Sequence, residues 1–305
     1  MKLLITGASG FVGWNAVRYF VDRGFYVQPT FHSLSHYLQN HTERVRLPVQ
    51  LSVQDGDAVA EVVSRFQPNV ILHAAALARP QAAHPPDILH QVNVLGTQHV
   101  ARAASAVNAH LIFLSTDFVY PSSAGLVNEE SLVDVRSAGY ARSKLEAERE
   151  VKLHANRWTI IRPTNMFGIG THSSNCFTQF LDRKWEAKES APVFSDQTRS
   201  FLYVDDLLSA AEHIIARGEA QSETYVCGGS EALTRASFAL RYATFNGIDP
   251  SFCNVMESDQ LAGYIGGSSD IRLDTAKLRG LGWKPRPLEE AFEDMRQKGV
   301  RENPS

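Results

Sequence analysis

A chain of 305 residues is long enough to bury a substantial core, in one large or two modest domains. With 44% hydrophobic and 21% charged residues and a formal net charge of -3, it has a globular make-up that suits neither a nucleic acid nor an anionic membrane as partner. The three cysteines, Cys176, Cys227 and Cys253, are widely spaced and form no Cys-x-x-Cys pair, which excludes a disulfide framework and points to a reducing, cytoplasmic setting.

The apolar start Leu3-Leu4-Ile5 breaks at Gly7 and Gly10, too soon for a signal or membrane segment. It reads instead as a strand over residues 3–6, followed by a helix over 11–23 and a second strand over 26–31. Helical periodicity over 55–66 leads to an apolar strand at 70–73, a long helix at 87–105 and a strand at 111–115. A helix over 138–154 and a strand over 158–162 complete the first half. Such alternation predicts an α/β protein of Rossmann type, a doubly wound parallel sheet with helices on both faces. Its ligand belongs at the carboxyl ends of the strands, near the topological switch point. After Pro163 the pattern loosens, with a loop at 168–174, helices at 207–216 and 236–246, a Gly/Ser stretch at 263–269, and a last pair of helices split by Pro285 and Pro287. The expected division is a dinucleotide-binding domain over 1–165, joined again by 200–226, and a smaller substrate lobe from 166–199 and 227–305.

Thr6-Gly7-Ala8-Ser9-Gly10-Phe11-Val12-Gly13 joins the first strand to the first helix. Gly7 permits the tight turn, Gly10 lets the backbone approach a pyrophosphate, and Gly13 allows close helix–strand packing. The free N–H groups around Ser9, Phe11 and Val12 then face the phosphates. Where a carboxylate at the end of the second strand would bind the ribose of NAD, this chain has Phe31, then His32. A 2′-phosphate meets no repulsion there and has His32 as a contact, so NADP(H) is favoured over NAD(H). His32 and His36 have the spacing of a metal pair, but no third ligand follows, so no metal site is expected.

The buried run 111–115 enters a polar turn, Ser115-Thr116-Asp117-Phe118-Val119. Tyr140 and Lys144 follow four residues apart, on one face of a helix. A phenol of pKa about 10 is too weak an acid for neutral pH, and a neighbouring ammonium lowers it. The expected catalytic set is therefore Thr116 holding a substrate oxygen, Tyr140 transferring a proton and Lys144 tuning it.

Taken together, these motifs resemble the extended short-chain dehydrogenases/reductases of the epimerase/dehydratase superfamily, over nearly the whole chain. Further carriers are His73-Ala74-Ala75-Ala76, Asn93-Val94-Leu95-Gly96-Thr97, Arg162-Pro163-Thr164-Asn165-Met166-Phe167-Gly168 and Arg199-Ser200-Phe201-Leu202-Tyr203-Val204-Asp205-Asp206. The resemblance implies that Lys144 also binds the nicotinamide ribose and that Ala74, Ala75 and Ala76 pack along the cofactor. Val53, Asn93, Pro163 and Met166 complete the implied cofactor site. Asp117, Phe118, Asn165 and Arg199 are implied at the substrate. It further implies a homodimer through the helices at 87–105 and 138–154.

Within that superfamily the chain is most similar to the dTDP-4-dehydrorhamnose reductases, through Ser115 to Val119, Ser195-Asp196-Gln197, and Asp270-Ile271-Arg272-Leu273-Asp274 ahead of Leu281-Gly282-Trp283. That branch implies NADPH-dependent reduction of a nucleotide-linked 4-keto-6-deoxyhexose. Departures keep other readings open. Arg199-Ser200-Phe201 resembles nucleotide-sugar epimerases, where the arginine contacts the diphosphate, yet their later Arg-Pro grip is missing and Ser268-Ser269-Asp270 stands near its place. Ser52 replaces an aspartate that contacts adenine, and Phe118 occupies the place of the dehydratases' glutamate. The alternatives are an epimerase, a reductase of a non-nucleotide carbonyl compound, or a non-catalytic regulatory subunit resembling that of methionine adenosyltransferase.

Overall fold

Apolar runs separated by glycine turns become the strands of one sheet, because each run can bury both of its faces. The computed structural model describes residues 1–33, 44–78, 84–134, 139–171, 176–218, 222–264 and 267–302. The first half contains β1 (Lys2–Thr6), α1 (Phe11–Asp22), β2 (Tyr26–Phe31), β3 (Val49–Gln50), α2 (Gly56–Phe66), β4 (Val70–His73), α3 (Pro86–Leu89) and α4 (Gly96–Ala106). It continues with β5 (His110–Leu114), β6 (Gly125–Val127), α5 (Gly139–His154) and β7 (Trp158–Pro163). The remainder comprises β8 (Met166–Phe167), α6 (Phe177–Glu186), β9 (Ala191–Phe194), β10 (Gln197–Arg199), β11 (Leu202–Tyr203) and α7 (Val204–Arg217). It ends with β12 (Glu223–Cys227), β13 (Leu233–Thr234), α8 (Arg235–Phe245), β14 (Cys253–Met256), β15 (Ser269–Leu273), α9 (Ala276–Arg279) and α10 (Leu288–Glu302).

Seven strands form one parallel sheet in the order β12-β7-β5-β4-β1-β2-β3. The order reverses between β1 and β4, so the switch point lies where Thr6 pairs with His73. α1 and α7 cover one face, and α2, α4 and α5 the other. The local sequence explains this placement. In α2, Val59, Val63 and Phe66 repeat at helical spacing and all are buried, while Asp55 caps the helix by accepting from the Ala58 amide at 3.0 Å.

The expected single helix over 87–105 is instead two α-helical pieces joined by a π-helical segment, His90–Leu95. Asn93 and Val94 in this segment, and Gly96 and Thr97 just after it, are all buried.

A second sheet, β13-β10-β15-β6, stands beyond the carboxyl ends of the first. Its strand β6 comes from the first half of the chain and pairs with β15. Behind it lies an aromatic cluster in which Phe238 meets Phe167, Phe177, Phe201, Tyr242 and Phe292. The Phe201–Phe238 rings stack at 4.3 Å. The segment 138–154 expected as a helix begins at Gly139, residue 138 lying outside the described residues, as does His36. Phe238→Ala should cost about 3–5 kcal/mol of stability in urea unfolding, against no measurable loss for the exposed Leu132→Ala.

Candidate active site

The β1–α1 turn closes against the segment that follows β4. Gly7 has φ +69°, and a Cβ there would lie 2.7 Å from the backbone N and Cα of Ala75. A Cβ on Gly13 would lie 2.2 Å from the Gly7 carbonyl oxygen. No side chain caps α1, so the N–H groups of Phe11 and Val12 stay available, while Gly10 N donates to the Gly7 carbonyl at 3.0 Å. The turn thus has the shape and the donors a pyrophosphate needs. At the end of β2, Phe31 is buried and His32 exposed, and their carbonyls accept from Leu51 N at 2.7 Å and Gln50 Nε2 at 3.1 Å. Val53 packs against Gly96, and its carbonyl accepts from His99 Nδ1 at 3.0 Å.

A buried hydrogen-bond chain ties this turn to the helix carrying Tyr140. Ala75 N donates to Thr6 Oγ1 (3.2 Å), which bonds to His73 Nδ1 (2.6 Å); His73 Nε2 bonds to Thr97 Oγ1 (3.0 Å), which donates to the Asn93 carbonyl (2.6 Å). The Thr97 hydroxyl proton is committed to that carbonyl, so Thr97 accepts from Nε2–H, and Nδ1 accepts from Thr6. Burial drives the His73 pKa down to about 3, with the Lys144 charge adding to it, so the imidazole is neutral in this tautomer. Asn93 clamps Leu77 through its amide (2.8 and 3.2 Å) and donates to Ser143 Oγ (2.9 Å), which donates to the Tyr140 carbonyl (2.8 Å).

Tyr140 and Lys144 lie on α5 facing the end of β5. The Tyr140 hydroxyl hydrogen-bonds the Thr116 side chain. Lys144 is buried with its ammonium 4.0 Å from the centre of the Phe113 ring. The expected lowering of the tyrosine pKa is corrected here. Burial and then the Asp117 charge push it up, outweighing the Thr116 hydrogen bond. The phenol is therefore firmly protonated at neutral pH. Lys144 moves the other way, pulled by burial from 10.5 to about 7 against the opposing pull of Glu148.

Beneath the pair lies a polar group that sequence reasoning did not single out. Glu148 accepts from Ser115 Oγ (2.6 Å) and from Nε and Nη2 of Arg162 (2.9 and 2.7 Å), whose Nη1 donates to Tyr120 (2.9 Å). The signal was legible in Lys144 and Glu148 standing four residues apart.

Asp117 is buried beside Thr116. It accepts from Thr164 Oγ1 at 2.9 Å and lies 3.4 Å from Arg199 Nε, close enough for charge pairing but not aligned as a hydrogen bond. Arg199 donates through Nη1 to Ser269 Oγ (2.9 Å) and the Thr198 carbonyl (2.8 Å), with its guanidinium 5.7 Å from the Phe118 ring centre. The fork expected at the substrate diphosphate is thus directed into the protein. Pro163 ends β7 next to Thr164; Asn165 accepts from Leu202 N at 3.0 Å, and Met166 pairs with Leu202 in the β8–β11 ribbon. Ala74 and Ala76 lie half-buried along the switch point.

A dinucleotide turn at the switch point, facing a Thr/Tyr/Lys cluster across the strand ends, defines an extended short-chain dehydrogenase/reductase, a nicotinamide-dependent class. More specifically, the chain belongs to the RmlD substrate binding domain family, which matches residues 1–300. Among relatives, it is 26% identical to methionine adenosyltransferase 2 subunit beta of Xenopus tropicalis over 287 residues, covering 92% of this chain and 82% of that protein. It is 28% identical to dTDP-4-dehydrorhamnose reductase of Aggregatibacter actinomycetemcomitans over 246 residues, covering 78% and 77%. The crystal structure of dTDP-4-dehydrorhamnose reductase from Bacillus anthracis in complex with NADP shares the fold, with a TM-score of 0.82 at 23% identity over 97% of this chain and 99% of that one. Among the described residues no helix is long and apolar enough to cross a membrane.

The Lys144 shift fixes a pH dependence. Above pH 10.5 neither folded nor unfolded chain carries its proton; between 10.5 and about 7 the unfolded chain is charged first and stability falls; below about 7 both are charged and the loss is constant. Lys144→Met should therefore raise the melting temperature, by a gain that is flat below pH 7 and shrinks as pH climbs from 7 to 10, read by thermal melts across that range.

Proposed function

We propose that this chain is an NADPH-dependent reductase of a keto sugar, most specifically a nucleotide-linked 4-keto-6-deoxyhexose. The observation that carries this reading is the protonated Tyr140 hydroxyl bonded to Thr116, one helical turn before the buried Lys144. Bound NADPH supplies the hydride. The Gly7–Gly13 turn suits its pyrophosphate, and His32, with no carboxylate beside it in β2, suits a 2′-phosphate. Val53, Ala74, Ala75, Ala76, Asn93, Pro163 and Met166 border the same groove.

Thr116 holds the substrate carbonyl oxygen, and Tyr140 passes its proton to that oxygen as negative charge develops. A phenol held well above its ordinary pKa favours giving its proton only to a strongly basic alkoxide, the species formed at that step. The ammonium of Lys144 stabilises the phenolate left behind, and reaches the nicotinamide ribose. Phe118 and Asn165 border the sugar. We place the protein in the cytoplasm, as a homodimer through the α3–α4 and α5 helices.

The test adds dTDP-4-keto-6-deoxyhexose to the NADPH-loaded protein and follows absorbance of the reduced cofactor. Tyr140→Phe should lower kcat by about 100-fold or more while leaving NADPH affinity unchanged. NADPH binding without turnover of any keto sugar would overturn the reductase and favour a regulatory subunit. Retained, tightly held cofactor with sugar interconversion would mark an epimerase.

A further inference from the structure

The four-stranded sheet turns one face toward the chemistry. Gln197 and Arg199 alternate along β10 onto that face, where Arg199 reaches Asp117 and Phe118. In the antiparallel partner Thr234 pairs with Thr198 and Leu233 with Arg199, so the next residue, Arg235, comes level with Gln197 on the same side. Its guanidinium lies 4.4 Å from the ring centre of Phe177 and 5.8 Å from that of Phe194.

Neighbouring arginines are answered by carboxylates. Asp117 answers Arg199, Glu231 and Glu289 answer Arg241, and Asp206 answers Arg286. Arg235 has no carboxylate and no hydrogen-bond partner among the described residues. Its charged or ionisable neighbours are Tyr264 and the like-charged Arg199. Burial pushes its pKa down, Tyr264 pulls it up, and Arg199 pushes it down again. A half-buried cation in this position disfavours the empty fold, and only an anion relieves it. Contact with the Phe177 face also orients the guanidinium while leaving its in-plane N–H donors free for a planar or tetrahedral oxyanion.

We infer that Arg235 binds the diphosphate of the nucleotide carrier and so selects nucleotide-linked substrates, a role that Arg199, turned inward to Asp117 and Ser269, does not fill. This deepens the reductase reading and rests on it for the sugar, though not for the phosphate. The site lies in the substrate lobe, apart from the Gly7–Gly13 turn, so cofactor and carrier are gripped by separate elements.

The experiment is calorimetric titration with dTDP at low ionic strength, with thymidine as the phosphate-free control, on wild type, Arg235→Gln and Arg235→Lys. Arg235→Gln should lose about 10–100-fold in dTDP affinity, while Arg235→Lys recovers part of it. NADPH affinity should not change, and the glutamine variant should melt no lower than wild type, because it loses a repelled cation. In turnover, KM should rise with kcat held. Equal dTDP affinity in wild type and Arg235→Gln overturns the inference, as does no dTDP binding by wild type, or equal loss of NADPH binding in the variant. Arg235-dependent dTDP binding without turnover of any keto sugar upholds the carrier site while the reductase reading falls.

Discussion

The neutral imidazole of His73 is the joint from which both halves of the site hang. One ring nitrogen accepts from Thr6, at the mouth of the dinucleotide turn; the other donates toward Thr97 and, through Asn93 and Ser143, reaches the backbone of Tyr140. Each donor in that chain has one acceptor, so the order of protons is determined rather than averaged. A charged imidazole would offer a second donor to Thr6, whose hydroxyl proton would then lose the ring nitrogen that now accepts it. Burial prevents this by holding the pKa far below neutrality. The geometry between the Gly7–Gly13 turn and Tyr140 is thereby inherited from the core.

Along α5 the same economy of placement recurs. Tyr140, Lys144 and Glu148 occupy one face at four-residue intervals, and their charge environment grades from a protonated phenol, through a weakened ammonium, to a carboxylate clasped by Arg162. The clasp matters because it fixes in place the neighbour whose charge opposes the desolvation of Lys144. Lys144 is thus held close to the point where a small added charge nearby decides its protonation.

Much of this was legible in the residues. A strand buried on both faces leaves a continuous apolar run, so β4 appears at its true limits, and the glycine turn is dictated by close approach to Ala75. Other features depend on three-dimensional context that no local pattern carries. The π-helical turn around Asn93 has ordinary helical composition. The strands of the smaller sheet are two to five residues long, too short for alternation to register. The direction of the Tyr140 shift turned on burial and on Asp117, which outweigh the hydrogen bond with Thr116. Arg235 looks like an ordinary first-turn helix residue until the register of β13 against β10 brings it beside Arg199.

Pairing of Gly125–Val127 with Ile271–Leu273 also bears on how the chain is made. During synthesis β6 leaves the ribosome long before its partner exists, and until then its edge offers unpaired amides and carbonyls, with Leu126 at its centre. The four-stranded sheet closes only after Ser269–Leu273 has been released. A nascent chain stalled before Ser269 would hold a finished dinucleotide sheet beside an open strand, and that strand is where premature association between copies would begin.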